Sequence, residues 1–244
     1  GGTTDGATTS TSLESDTENI TVTEDTESGS TTIETTLADL DETTSTQSKI
    51  EIADDPEGAT DDPATPPKKL VTSTITVTDK ETGESLETKV TASDSEDLNV
   101  KVGADGSITQ TLDKKGPSAT DPTIEDVKSS VTAKTTGEAE ISVESSTKEA
   151  DPETGEEKAT KKVRKAKTPP GSEVQIQDDG GVVAKSRSRD ASGQEIETEV
   201  ETKPNGEMKA RIKTSGSTKS QTLRVPTESD EAEVDYVNIP EGDR

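Results

Sequence analysis

Apolar residues in this chain recur at every second position and rarely at every third or fourth. Ile20-x-Val22, Ile50-x-Ile52, Ile75-x-Val77, Leu98-x-Val100-x-Val102, Ile141-x-Val143, Val174-x-Ile176 and Met208-x-x-x-Ile212 all keep even spacing, with Thr, Ser, Lys or Glu as their neighbours. A period of two sends alternate side chains to opposite faces, so each stretch reads as a strand with one covered face and one wet face. No stretch of ten or more residues carries a 3.6-residue period. The sequence therefore predicts an all-β fold with no substantial helix, in about fifteen strands of five to nine residues.

Turn chemistry falls between these runs. Pro204-Asn205-Gly206, Ala104-Asp105-Gly106 and Asp178-Asp179-Gly180 supply residues that tolerate positive φ, and Glu81-Thr82-Gly83, Thr135-Thr136-Gly137 and Glu153-Thr154-Gly155 do so less sharply. The Pro-rich stretches 61–69 and 168–172, and the run 116–122, read as surface loops or joints.

Slid along itself, the chain matches at three places, opening at Ile20, Leu98 and Val174 with spacings of 78 and 76 residues. After each opening strand and turn come a polar strand, an apolar-alternating strand, a further turn, a fourth strand and a fifth. The expected organisation is a linker or partner-seeking segment over 1–19 and β repeats over 20–97, 98–173 and 174–233. A truncated opening strand and tail follow over 234–244. The architecture is tandem β-meander repeats, arranged as a solenoid, an extended meander or slim sandwiches in series.

Composition opens a second reading. Leu, Ile, Val and Met total only 38 of 244 residues, Phe and Trp are absent, Tyr236 is the one aromatic, and the net charge is −26. Few aliphatics with high charge also mark disorder, so a disordered acidic spacer stands beside the strand reading. Against it, Ser and Thr total 68, and β-branched Thr favours extended backbone. One repeat holds about a dozen large aliphatics, too few to close a core alone, so neighbours must cover its apolar stripe.

Candidate chemistry is sparse. Without His or Cys there is no imidazole base, thiolate, disulfide, zinc cage or haem ligand. No catalytic, cofactor-binding or metal residue is assigned, and no enzyme is expected. Acidic clusters at Asp54-Asp55, Asp61-Asp62, Asp94-Ser95-Glu96-Asp97 and Asp178-Asp179 offer oxygen ligands for calcium, but none matches the EF-hand loop or the Gly/Asp nonapeptide. Asn19-Ile20-Thr21 fits the N-glycosylation sequon, and the many hydroxyls can carry O-linked sugars. Ser145-x-x-Lys148 has the spacing of a Ser/Lys nucleophile motif but lies in strand-like sequence with no companion. The charge and the lack of aromatics argue against nucleic acid, and no apolar run is long enough to span a membrane. No basic-then-apolar leader opens the chain, as expected of a mature form or of a piece of something longer.

The charge is unevenly placed. Residues 1–66 carry 17 acidic groups against Lys49 alone, residues 67–155 carry 18 against 10, and residues 156–244 carry 18 against 16. The densest basic run is Lys158, Lys161, Lys162, Arg164, Lys165 and Lys167. It reads either as a solvated strand whose charges keep an edge from pairing, or as the place where the acidic start of another copy docks. The second reading gives a homo-oligomer growing head-to-tail, with residues 1–24 of one copy against residues 156–239 of the next.

In its Thr/Ser-rich, acidic, aromatic-poor strand repeats and Asp-Gly turns, the chain over most of 20–239 resembles repeat regions of large bacterial surface and exported proteins, which serve as adhesin stalks, matrix proteins or fibre subunits. The resemblance implies an extracellular structural role and transfers no functional residues. A binding module that holds a glycan or protein ligand on exposed strands is the alternative in that setting.

Overall fold

The computed structural model describes residues 10–36, 38–56, 67–118, 121–150, 154–215, 220–224 and 231–235. Among them there is no helix, and eighteen strands form two sheets. After β1 (Ser12–Ser15) comes a first antiparallel meander of β2 (Ile20–Asp25), β3 (Ser30–Thr35), β5 (Thr44–Asp54), β6 (Lys69–Asp79) and β7 (Ser85–Ser93), with the short β4 (Ala38–Asp39) paired to β5. A second meander runs through β8 (Leu98–Val102), β9 (Ile108–Lys115), β10 (Ile124–Ala133), β11 (Ala139–Ala150) and β12 (Glu157–Thr168). A third runs through β13 (Glu173–Ile176), β14 (Val182–Arg189), β15 (Glu195–Thr202), β16 (Met208–Thr214) and β17 (Ser220–Arg224), and β18 (Glu231–Asp235) follows.

Successive meanders alternate between the sheets. The wide sheet has the order β17-β16-β15-β14-β13-β7-β6-β5-β3-β2, which joins the third meander to the first. The narrow sheet has the order β1-β8-β9-β10-β11-β12-β18 and holds the second. The chain crosses from wide to narrow sheet over 94–97 and back over 169–172. Neither sheet is closed.

One apolar cluster lies between the sheets. Ile50, Ile52, Val71, Ile75, Val90 and Val174 point in from the wide sheet, and Val100, Val102, Ile108, Val131 and Val143 from the narrow one. The even spacing of these residues fixes the register, because a slip by one residue would turn every inward side chain outward. In the middle of the layer, β10 lies against β7 and β13, the strands where the first and third meanders meet.

Five connections, over 103–107, 134–138, 177–181, 190–194 and 203–207, share one loop. The first residue's N–H donates to the fifth residue's carbonyl, and the glycine at the fourth place donates back to the first. Those glycines have φ between 84° and 89°. This is a type I turn closed by a glycine bulge, and it explains the glycine, since left-handed backbone costs other residues roughly 1–2 kcal/mol.

Strand length and number depart from expectation. β5 and β6 have eleven residues and β11 and β12 have twelve. Apolar alternation in β11 ends at Val143, yet Ser, Thr, Lys and Glu pair on across β12 to Ala150↔Glu157. Strand pairing outlasts the apolar pattern because the inward places pass to Ser145 and Thr147, which stay buried, while opposite-charge neighbours pair on the outer face. The 1–19 segment, expected as a linker or partner-seeking strand, contains β1, which pairs with β8 of its own chain. Asp61-Asp62 and Tyr236 lie outside the described residues.

Candidate functional site: seams, ties and open edges

Among the described residues three strand pairs are parallel, and all others are antiparallel. They are β7 with β13, β1 with β8, and β12 with β18. In the first, the last strand of one meander meets the first strand of the next meander in the same sheet. In the other two a single strand, β1 or β18, lies parallel to the first or the last strand of the second meander. Each seam sets opposite charges in register: Lys89 beside Glu173, Glu14 beside Lys101, and Lys165 and Lys167 beside Glu233 and Asp235. At the β1 seam the Asn99 amide also donates to Glu14 Oε1 at 3.2 Å, and Lys101 Nζ lies 2.9 Å from Asp16 Oδ2. Exposed pairs of this kind contribute at most about 1 kcal/mol, so they select register more than they hold the seam.

Four side chains tie the sheets together through the bulge glycines. Ser48 on β5 donates to the carbonyl of Gly106, and Ser129 on β10 donates to that of Gly180. Thr88 on β7 donates to the carbonyl of Gly137 and accepts the Gly171 N–H at 3.0 Å. Arg164 on β12, only 4% exposed, sends Nε to the Gly206 carbonyl at 2.8 Å. Each tie runs from one meander to the meander after it, twice from the third strand to the first loop and twice from the fifth strand to the third loop. A fifth link is Gln110 on β9. Fully buried, its Nε2 donates to Ser73 Oγ at 2.8 Å and to the Val90 carbonyl at 3.1 Å in the facing sheet.

Arg164 was legible only through strand parity. Composition places it in a basic, solvated run, but even spacing with Ala166 and Thr168 turns it inward with them. Lys161, at odd spacing, instead meets Glu144 Oε2 at 2.7 Å. Arg164, Lys165 and Lys167 lie in the stretch of β12 paired on both sides, with β11 and β18, whereas Lys158, Lys161 and Lys162 lie where β12 pairs with β11 alone.

The acidic clusters serve the loops. Asp94 accepts the backbone N–H groups of Ser10 and Thr11 at 3.1 and 2.8 Å, fastening the segment before β1 to the first crossing. Asp178 meets Lys68 Nζ at 3.0 Å, and the Ser93 hydroxyl, with Lys68, holds its carboxyl below the usual range. Asp179 accepts the Gly181 N–H within its turn. Asp55 donates its N–H to the Lys68 carbonyl at 2.7 Å. Among the described residues no group of three or more acidic side chains is placed to hold a metal ion.

A cleft of about 660 Å³ opens beside the first crossing, where Lys68, Lys69 and Lys114 face Asp94, Asp97 and Asp178. Its charges largely answer one another. Ser145 is buried while Lys148 reaches Glu125 at 2.7 Å on the surface, so their i, i+3 spacing on a strand sends them to opposite faces and forms no dyad. Asn19 is exposed just before β2. No described helix is long and apolar enough to cross a membrane.

Among the described residues the sheets end at four edge strands. These are β2 and β17 in the wide sheet and β1 and β18 in the narrow one, each paired on one side within the chain. The inward face of β2 is poorly covered, with Ile20 half-buried and Val22 37% exposed. No family model, curated protein or solved structure matches the chain.

Proposed function

We propose that this chain is an extracellular structural element, a length of β rod of the stalk or fibre class, built from tandem meander repeats that alternate between two sheets. The observation that carries the reading is the recurring parallel seam. At β7–β13 a last strand meets a first strand, and this junction extends the wide sheet by a whole meander without closing it, while in the narrow sheet the single strands β1 and β18 lie parallel to the two outer strands of the second meander. Such a plan adds length without limit and encloses no site. The chemistry agrees. The chain has no His, Cys, Phe or Trp, so a thiolate or imidazole nucleophile is lacking and Tyr236 is the one aromatic ring for stacking a sugar or base. Its polar residues are spent on turns, ties and charge-matched seams. Extracellular placement rests on composition, with the acidic, cysteine-free, hydroxyl-rich make-up of exported repeat proteins.

Immunogold electron microscopy of intact producing cells, with an antibody against the folded chain, tests this reading. Label on surface-attached or shed elongated structures is the expected result. Label confined to the cell interior would overturn it.

A further inference from the structure

We propose that copies of this chain join end to end through the wide sheet, with β17 of one copy pairing parallel to β2 of the next. The proposal rests on the structural reading above and supplies its joint. Both strands end the wide sheet, and their roles are those of the seam strands: β17 is the last strand of its meander and β2 the first of its own. Joining them repeats the β7–β13 seam in the sheet where that seam already occurs.

Charge gives the joint a direction. β17 itself carries Arg224 and no acidic residue, and β16 behind it carries Lys209, Arg211 and Lys213, of which Lys209 and Arg211 already meet Glu207 and Glu199. β2 itself carries Glu24 and Asp25, β3 beside it carries Glu34, and neither strand carries a basic residue. The internal seams set opposite charges in register, and this one would do so between copies. Two β2 edges, or two β17 edges, would repel. The contact is therefore heterologous, and a heterologous contact that does not close makes a filament.

Access and burial also favour it. The hydrogen-bonded path of the wide sheet has ten strands against seven in the narrow sheet. The wide sheets of two copies can thus meet while β18 of one and β1 of the other remain apart. Val22 and Ile20, poorly covered at the β2 edge, would gain β17 as a neighbour. An edge seam of about six residues lies well below the roughly 1,200–2,000 Å² of a stable interface. The joint is consequently weak and needs low salt or high concentration, because exposed charges are screened beyond about 10 Å at 0.1 M salt.

Sedimentation velocity of the full chain over a concentration series, at low and high salt, tests the joint. The wild-type chain should form growing end-to-end species at low salt that dissociate at high salt. Arg224→Glu and Glu24→Lys should each weaken association at least tenfold, with unchanged far-ultraviolet circular dichroism. An equimolar mixture, or the double variant, should recover it, because each altered edge then meets its complement. A wild-type chain that stays monomeric at low salt up to its solubility limit would overturn the proposal. So would single variants that assemble like the wild type, or a double variant that does not recover. Failure here together with surface label on cells removes the joint and leaves the structural role standing. Assembly in solution together with interior label does the reverse.

Discussion

Ser129 in the narrow sheet donates its hydroxyl to the carbonyl of Gly180 in the wide sheet, and Ser48 in the wide sheet does the same to Gly106 in the narrow one. The two contacts are equivalent although their donors lie in opposite sheets, and each reaches forward to the following meander. A carbonyl at a glycine bulge is turned out of the strand ladder, so a buried one needs a partner from elsewhere. A hydroxyl on the facing strand meets that need and fixes how far one sheet slides over the other.

Removing either hydroxyl should therefore cost more than its small size suggests. Ser129→Ala is expected to destabilise by about 1–3 kcal/mol, the range for a buried acceptor left unmatched, and Ser48→Ala by less, because Gly106 is only half-buried. Urea unfolding with an unchanged slope would measure it. A loss near zero in both would show that the ties are incidental.

The glycines themselves are not equally replaceable. A Cβ at Gly83 meets nothing within 4 Å, whereas one at Gly180 would lie 2.4 Å from Val127 Cγ1. Both have positive φ, 73° and 89°. Gly83→Ala should cost about 1 kcal/mol of backbone strain, and Gly180→Ala should add roughly 1–3 kcal/mol from overpacking. Equal losses in the two variants would contradict the contact at Val127.

Gln110 is buried with three acceptors around its Nε2, while its Oε1 has no protein partner. Gln110→Ala loses those bonds and opens a cavity, for an expected cost of about 2–4 kcal/mol. Gln110→Leu fills the volume and removes the unmatched oxygen, so it should cost less than the alanine. Thermal melts of the pair decide the order.

Many of the aspartates that make the chain acidic are turn-formers. Donors from Thr44 and Thr43 hold the Asp41 carboxyl at about 2, down from 3.8. Asp25, Asp79, Asp105, Asp121 and Asp190 are lowered in the same way by hydrogen bonds from the residues just after them. A carboxyl with a depressed folded-state value contributes stability that is complete above its unfolded value and lost as pH falls through the folded one. The melting temperature of Asp41→Ala should lie below that of the wild type by a constant margin at neutral pH. The margin should shrink between about pH 4 and pH 2. A margin that persists at pH 2 would mean that the ionised carboxylate is not what matters at this turn.

What was legible in the sequence was local. Ile50-x-Ile52 and Val174-x-Ile176 fall in strands because a period of two can be read within five residues, and Gly106, Gly137, Gly180 and Gly206 fall at bulges because the turn needs positive φ. What was hidden was long-range. Nothing near Val90 announces that it lies beside Val174, 84 residues away, because a parallel seam leaves no turn between its strands. The twelve-residue reach of β11 and β12 was hidden because it continues beyond the apolar pattern. The ties were hidden because an inward Ser or Thr looks like the outward ones around it until strand parity is counted.

The position of β10 over both β7 and β13 has a mechanical consequence. Parallel pairing is slightly weaker per residue than antiparallel pairing, so a tension applied across the strands would find the seam first. The layout is that of running-bond masonry, where every joint in one course is spliced by the middle of a block in the next. A crack entering at the seam meets an unbroken antiparallel ladder on the other side of the core. To go further it must shear Val131 and its neighbours past the facing side chains, or rip through that second ladder as well. The weakest line of the wide sheet is thereby backed by the middle of the narrow one.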